Sequence, residues 1–272
     1  MTGAAGAEAT GRRPGDVWRD AIRSRATPES VVEGSPEPAP LLQPEMFRWR
    51  PDVDARQPVR PSRLRALEAL PERGSVLDVG VGAGASSFGL AGKAGLIVGV
   101  DRQPDMLRLF EETARTLGVS VRPIVGAWPE AASDVEPADV AICHHAIYFV
   151  QEIEDFVLAL TARARRRVVI ELSARPPLTR LNPLWESFHG VSRRDWRVAD
   201  ALQAVLEAMG LGVEREDTVL PARAREVTPE FVAFVRRRLY VGPERDREID
   251  QFLRGLEPQP ETIAALWWPG AA

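Results

Sequence analysis

The sequence predicts an α/β fold with a doubly wound, seven-stranded, mainly parallel sheet and helices on both faces. After Pro71, short apolar runs alternate with helical segments, which is the pattern of strand–helix–strand units. The chain has 272 residues, of which 44% are apolar and 27% charged, enough for one substantial core. We therefore expect one main domain over residues 61–272, with additions at its N-terminal side.

Each predicted element rests on a local pattern. Five strands are expected at short apolar runs, at 75–79, 96–100, 121–125, 140–143 and 167–172. Two late strands are expected near 213–219 and 262–268. Helices are expected where the apolar spacing is helical, at 61–70, 85–93, 104–117, 153–164 and 198–209. Residues 221–260 hold two further helical patterns and form a predicted helical insertion between the last two strands.

The N-terminal region divides into two parts. Residues 1–15 are small, polar and Gly-rich, and we expect them to be disordered because they bury too little to offset the ordering entropy. Residues 16–60, called the arm below, begin with a helical pattern at 17–26 and continue as a Pro-rich stretch. The arm is expected to cover the functional crevice, so removing residues 1–50 should impair acceptor binding more than folding.

Charge and cysteine content indicate the cellular compartment and the kinds of partner that the protein binds. The formal charge of −4 gives no overall attraction for nucleic acid or for an anionic membrane. The arginine runs 165–167 and 236–238 are expected at helix C-termini, where the helix dipole favours cations. The single cysteine, Cys143, forms no intramolecular disulfide, and no secretory signal or membrane-spanning run is evident. These features predict a cytoplasmic protein that binds neither nucleic acid nor membrane.

The segment SVLDVGVGAGASS, residues 75–87, is the most informative of the chain. A strand carrying Asp78 is followed by Gly80, Gly82 and Gly84, whose lack of a Cβ lets a ligand approach the backbone. The second strand ends at Asp101, where a carboxylate can accept hydrogen bonds from both ribose hydroxyls. A nucleotide-like cofactor is therefore expected at this edge of the sheet.

Two classes of cofactor fit the glycine pattern: a nucleotide-like cofactor with a positively charged end, and a nicotinamide dinucleotide. Gly80, Gly82 and Ala85 also satisfy the dinucleotide fingerprint of NAD(P)-dependent Rossmann oxidoreductases, which remain an alternative. Asp78 distinguishes the two, because a buried strand carboxylate needs a partner. A positively charged end of the cofactor would supply that partner.

The pair VLDVGVGAG and GVDRQPDML resembles the first two motifs of the class I (Rossmann-like) S-adenosylmethionine-dependent methyltransferases. The resemblance implies that Asp78 lies near the methionine end of S-adenosylmethionine, that the glycine turn passes under it, and that Asp101 holds the ribose. Arg102 and Met106 would cover the adenine. This chain would belong to a bacterial branch that acts on small molecules.

The third motif of that family is altered in this chain. In IVGAWPE, residues 124–130, Ala127 stands where many relatives carry an aspartate that accepts from the adenine amino group. Trp128 either packs on the adenine, with a backbone carbonyl or Glu130 receiving the amino group, or belongs to the core.

The resemblance also implies an antiparallel last strand, formed by ETIAALWWPG, so that the insertion leaves and re-enters at the carboxyl edge of the sheet. The arm, the insertion and the segment after the fifth strand would then converge over the crevice as a substrate lid. The aromatic residues expected to contact the acceptor are Phe47, Trp49, Trp185 and Phe188; alternatively, Trp185 and Phe188 belong to the core. Arginines in the segment after the fifth strand either bind an acidic small molecule or form a solvated surface; they are Arg175, Arg180, Arg193, Arg194 and Arg197.

Methyl transfer from a sulfonium is an in-line displacement that needs positioning and exclusion of water rather than an enzyme nucleophile. An oxygen or nitrogen acceptor would benefit from a general base, and histidine suits that role. His145, after the fourth strand, and His189 are the candidate bases, while His144 would touch the cofactor through its backbone; alternatively, the two strand-end histidines only pack locally. Because Cys143, His144 and His145 are adjacent, they cannot close a tetrahedral metal site alone, and no metal is expected.

The sequence thus predicts an S-adenosylmethionine-dependent methyltransferase that acts on an oxygen or nitrogen of a small molecule. A non-catalytic S-adenosylmethionine-binding protein is the second alternative. The trailing WWPGAA is compatible with a buried strand or with an interface in a homodimer.

Overall fold

The computed structural model describes residues 11–37, 44–193 and 195–271. Most of the N-terminal tail expected to be disordered, residues 1–10, lies outside this range, as does Arg194.

A seven-stranded sheet forms the centre of the molecule, with strand order β3-β2-β1-β4-β5-β7-β6. Its strands are β1 (Gly74–Val79), β2 (Ala94–Asp101), β3 (Val121–Val125), β4 (Ala138–His144), β5 (Ala164–Ser173), β6 (Glu214–Leu220) and β7 (Glu261–Pro269). Strands β1 to β5 pair in parallel, whereas β7 runs antiparallel to both β5 and β6. This confirms the predicted fold class, including the antiparallel last strand.

Ten α-helices accompany the sheet in the described part of the chain. They are α1 (Pro14–Ser24), α2 (Glu29–Glu33), α3 (Pro51–Asp54), α4 (Pro61–Ala69), α5 (Pro104–Leu117), α6 (Ile153–Ala162), α7 (Asn182–His189), α8 (Val198–Ala208), α9 (Pro229–Arg238) and α10 (Asp246–Arg254). None of them is both long and apolar enough to cross a bilayer.

Two local expectations are wrong. Residues 85–93 form only a 3₁₀ turn, Ser87–Leu90, because Gly89 and Gly92 oppose a regular helix. The arginine run 165–167 lies in the first residues of β5 rather than at a helix end, since α6 stops at Ala162. The second run, 236–238, does end a helix, α9.

The first helix of the arm belongs to the main core. Trp18 of α1 is fully buried, and its indole Nε1 donates to the Val150 carbonyl at 2.7 Å. The Trp18 ring also meets Trp196 edge to face, with 5.0 Å between ring centroids. This packing holds α1 in the same apolar cluster as β4, β5, α6 and α8.

The insertion forms a smaller core of its own with α7. Side chains of α7, α9 and α10 pack together in a separate apolar cluster that includes Leu184, Trp185, Val235 and Ile249. Because Leu220 and Glu261 are paired neighbours in the β6–β7 register, the insertion begins and ends at adjacent positions of the sheet. The insertion is therefore anchored at the edge where the parallel strands end.

Candidate active site

The glycine turn after β1 uses its three glycines in two ways. Gly80, Gly82 and Gly84 have φ of +76°, +54° and +87°, which L side chains adopt at a cost. A Cβ on Gly80 would lie 2.3 Å from Cβ of Ala146, and one on Gly84 would lie 2.2 Å from the Phe88 ring. A Cβ on Gly82 would meet nothing within 4 Å. Gly80 and Gly84 thus permit close packing, whereas Gly82 borders open space that a ligand can enter.

Asp101, at the end of β2, lies against the same turn. Its Oδ2 accepts from the Gly82 N–H at 2.9 Å, and its Oδ1 accepts from the Gln103 N–H at 2.9 Å. A carboxylate oxygen can accept more than one hydrogen bond, so both oxygens keep capacity for ligand hydroxyls. The structure therefore brings Asp101 and the glycine turn together, as the sequence predicts.

Asp78 is a buried acid within β1. Only 1% of the residue is exposed, and neither carboxylate oxygen has a hydrogen-bond partner among the described residues. Burial raises the pKa of Asp78 to about 7; the nearby Ser87 hydroxyl lowers it, and the negative charge of Asp101 adds to the rise. An unpartnered buried carboxylate fits a cofactor that brings a cationic group to this point.

The residues expected around the adenine differ in their exposure to solvent. Met106 is buried, Arg102 is exposed, and Ala127 and Trp128 are half-buried. The Trp128 indole Nε1 donates to the Phe156 carbonyl at 3.1 Å, and the Trp128 side chain packs against the main core. Trp128 is thus fixed in place, and its role toward the adenine stays a prediction.

A cavity of about 410 Å³, called the acceptor cavity below, separates residues 48–63 from the sheet. Its floor is formed by the ends of β4 and β5, through His144, His145 and Glu171, and by Ala85 and Ser86 after the glycine turn. Cofactor-side and arm residues therefore border one space, at the sheet edge where such folds bind ligands.

His145 is held from three directions. Its φ is +55°, an uncommon conformation for a residue other than glycine, and its N–H donates to the Glu171 carbonyl at 2.8 Å. Its ring Nε2 lies 3.2 Å from Oε1 of Glu171, and its Nδ1 lies 2.9 Å from the Tyr148 hydroxyl. The Tyr148 oxygen accepts from the Ser173 N–H at 2.8 Å. The imidazole is thus fixed by contacts with β5 and with the loop that follows β4.

Glu171 is the buried centre of this group. It is 4% exposed and accepts from Arg60 Nη1 at 2.6 Å and from the Ser62 hydroxyl. Burial opposes its ionisation, but His145, His144, Arg60 and Ser62 together hold the pKa of Glu171 well below its usual range. Glu171 is therefore a carboxylate at neutral pH and faces the His145 ring with its charge.

Sequence reasoning missed Glu171, although a signal was present. Glu171 is the one carboxylate in the apolar run VVIELS of the fifth strand, and its partner across the parallel β4–β5 pair is His144. An acid at the end of one strand and histidines at the end of its neighbour meet at the same edge.

Two further polar atoms of the cavity wall lack partners in the described part of the chain. They are Nε2 of His144 and Nε1 of Trp49, both buried. Burial lowers the pKa of His144 to about 4, so its ring is neutral at pH 7. The side chains of His144 and Trp49 therefore carry unused hydrogen-bonding capacity beside the acceptor cavity.

The structure does not bring every predicted residue into this cavity. His189, Trp185 and Phe188 lie on α7, whose apolar face packs against the insertion. The His189 Nε2 donates to the Leu239 carbonyl at 2.6 Å, and Trp185 is 4% exposed. Phe47 is 36% exposed and does not line the acceptor cavity. Of the expected acceptor contacts, Trp49 alone lines it, and the roles of the others stay predictions.

The order of the strands and the position of this site resemble those of class I, Rossmann-like methyltransferases. Residues 76–167 match the model of a family described as a methyltransferase domain. This segment runs from β1 into β5 and contains the glycine turn, Asp101, His144 and His145. The match covers less than half of the chain, and it includes the residues that the sequence predicts to bind the cofactor.

Two solved bacterial structures show the same fold. The YcgJ protein of Bacillus subtilis is 17% identical, with a TM-score of 0.52 over 78% of this chain and 98% of its own. A putative methyltransferase from Bacillus halodurans is 15% identical, with a TM-score of 0.50 over 76% of this chain and 97% of its own. Phosphoethanolamine N-methyltransferase 2 of Haemonchus contortus, in complex with phosphomonomethylethanolamine and S-adenosylhomocysteine, is 15% identical, with a TM-score of 0.47 over 77% of this chain and 52% of its own.

A search of curated protein sequences finds no match to this chain. Identities this low to the solved structures show the fold and leave the acceptor to be argued from the site.

Proposed function

We propose that this protein transfers a methyl group from S-adenosylmethionine to an oxygen or nitrogen of a small molecule bound in the acceptor cavity. The observation that carries the proposal is the buried, unpartnered Asp78 carboxylate beside a glycine turn that opens toward ligand space. The cavity volume of about 410 Å³ is in the range of small-molecule sites.

The residues present fit the cofactor. Asp78 would pair with the amino group at the methionine end of the cofactor. Gly82 would let the cofactor approach the backbone, and Asp101 would accept hydrogen bonds from the ribose hydroxyls. When bound there, the cofactor supplies an electrophilic methyl group on a sulfonium sulfur. A nicotinamide cofactor has no comparable cationic amino group to offer Asp78, so this observation favours the methyltransferase over the oxidoreductase.

His145 is the proposed proton acceptor. Because Glu171 is ionised, the His145 tautomer that satisfies both contacts carries its proton on Nε2 and donates to Glu171. Nδ1 is then the accepting nitrogen and receives the Tyr148 hydroxyl. An acceptor hydroxyl or amine that replaces the tyrosine at Nδ1 can pass its proton there, and Glu171 stabilises the resulting imidazolium.

The cavity wall indicates which polar groups the acceptor carries. The indole Nε1 of Trp49 is a donor only, so it calls for an oxygen or nitrogen lone pair on the acceptor. His144 is neutral and can pair its Nε2 with a second polar group. We infer a polar small molecule with at least two hydrogen-bonding groups near the transfer site.

Calorimetric titration with S-adenosylhomocysteine and, separately, with NADH and NADPH tests the cofactor. We expect S-adenosylhomocysteine to bind and the nicotinamide nucleotides not to bind. Asp101→Ala should reduce the binding free energy of S-adenosylhomocysteine by about 2–4 kcal/mol, because hydrogen bonds to a charged acceptor are lost. Binding of a nicotinamide nucleotide alone, or unchanged affinity in folded Asp101→Ala, would contradict the proposal. A screen of acceptors for S-adenosylhomocysteine release then separates a catalyst from a protein that only binds the cofactor.

A further inference from the structure

A second cavity, of about 640 Å³, lies between the segment after β5 and the insertion. It is bordered on one side by residues 173–181 and on the other by residues 223–231 and 253–262. Its lining shares no residue with that of the acceptor cavity. The two meet at β5, where Glu171 lines the first cavity and Ser173, two residues further on, lines the second.

The charges that line the second cavity are unequal. Five arginines border it against two carboxylates, Asp195 and Glu261. The arginines are Arg175, Arg180, Arg197, Arg223 and Arg225. Such an excess of cations around a concave, partly apolar space favours an anionic ligand.

Internal pairing uses only part of this charge. Asp195 pairs with Arg175 at 3.1 Å, and both side chains are more than half exposed. Glu261 accepts from the Ser173 hydroxyl at 2.7 Å. Among the described residues, no ion pair or hydrogen bond engages the guanidinium of Arg223, and that of Arg225 stacks over the Phe231 ring at 4.2 Å. Both guanidinium groups therefore keep donors for a ligand.

The floor of the second cavity is apolar. Leu181 and Leu253 belong to the apolar cluster of α7, α9 and α10, and Val227, Phe231 and Leu256 pack against it. A ligand that fits this surface has an apolar body and an anionic head. Inorganic anions alone would leave the floor uncovered.

We propose that the second cavity binds an organic anion, a carboxylate or phosphate ester with an apolar body, at a site separate from the cofactor and acceptor. The anionic head lies at Arg223 and Arg225, where the guanidinium forks match carboxylate and phosphate geometry. The apolar body rests on Phe231, Leu253 and Leu256.

The test is a fluorescence titration of the full chain with 8-anilinonaphthalene-1-sulfonate. N-phenyl-1-naphthylamine, which lacks the sulfonate, is its uncharged counterpart. The double variant R223Q/R225Q should weaken binding of the sulfonate by about 5- to 30-fold, the range for two partly exposed charge contacts, and leave the uncharged probe unchanged. The variant R108Q/R115Q on α5 removes the same charge elsewhere and should leave both probes unchanged.

Equal loss in the two double variants would show a general charge effect and overturn the proposal, as would unchanged sulfonate binding in R223Q/R225Q. Displacement of the probe then identifies the head group. Octanoate or octyl phosphate should displace it from the wild-type protein, and the stronger of the two distinguishes carboxylate from phosphate. Equal displacement by octanol would show that the charge is irrelevant and would also overturn the proposal.

Discussion

Asp78 is a residue whose environment opposes its own charge. Because burial raises its folded-state pKa from the usual 3.8 to about 7, the native protein binds the proton more tightly than the unfolded chain. The stabilisation by this proton is complete below the unfolded pKa and is lost as the pH rises through about 7. At higher pH the cofactor-free protein carries an uncompensated charge.

Asp78→Asn should therefore stabilise the cofactor-free protein by about 1–3 kcal/mol near pH 8, since it removes a buried charge without a partner. The gain should shrink as the pH falls, because protonated aspartate is also neutral. The same variant should bind S-adenosylhomocysteine more weakly. Thermal unfolding as a function of pH, together with calorimetry, measures both. A lower melting temperature at pH 8 would show that the carboxylate has a stabilising partner.

Glu171 acts on the proposed reaction through His145. Glu171→Gln keeps the shape of the side chain but removes the charge that faces the imidazolium, so we expect turnover to fall about 10- to 100-fold with cofactor affinity unchanged. Glu171→Asp should retain part of the activity because it keeps the charge. Thermal unfolding controls for the loss of the Arg60 contact. Equal turnover of the glutamine variant and the wild type would exclude Glu171 from proton transfer.

In the turn after β1, neighbouring glycines have different roles: Gly84 permits close packing, and Gly82 has a proposed role in binding the cofactor. Gly84→Ala places a Cβ 2.2 Å from the Phe88 ring and should cost about 2–4 kcal/mol of folding stability. Gly82→Ala adds a Cβ in open space, so it should cost only about 1 kcal/mol for its positive φ yet weaken binding of S-adenosylhomocysteine. Denaturant unfolding and calorimetry on both variants compare the two effects; a Gly82→Ala protein with full affinity would place the cofactor elsewhere.

The central strands β1, β4 and β5 were predictable because buried parallel strands read as apolar runs. All seven strands lie within a few residues of their expected bounds. The region 85–93 was misjudged because apolar spacing alone does not weigh the glycines that end a helix. The Glu171 group was not predictable as a set, since Arg60, Ser62 and His145 come from distant parts of the chain and meet only through the strand order.

The arm is more closely integrated with the main domain than its Pro-rich composition suggests. Its residues 48–60 border the acceptor cavity, but Trp18 is part of the main core. Removing residues 1–50 would delete this tryptophan, so the expected preference for a binding defect over a folding defect applies only to the later part of the arm.

A pair of tryptophan variants separates these two parts of the arm. Trp18→Ala should cost about 3–5 kcal/mol of folding stability, because it empties a buried site and frees the Val150 carbonyl. Trp49→Ala should cost less stability, since Trp49 is only half-buried, and should raise the KM for the acceptor. Denaturant unfolding of both proteins provides the comparison; equal destabilisation would mean that residues near 49 are as structural as α1.

The pairing of Leu220 with Glu261 has a consequence for how the protein can diversify. If residues 221–260 were exchanged for a tight turn, β6 and β7 would be joined as an ordinary hairpin in the same register. The insertion can therefore change in length without altering the register of β6 and β7, provided that its replacement still covers the apolar face of α7. Homologous or engineered chains can therefore vary the lining of the second cavity while the strands that carry Asp78, Asp101 and Glu171 keep their pairing.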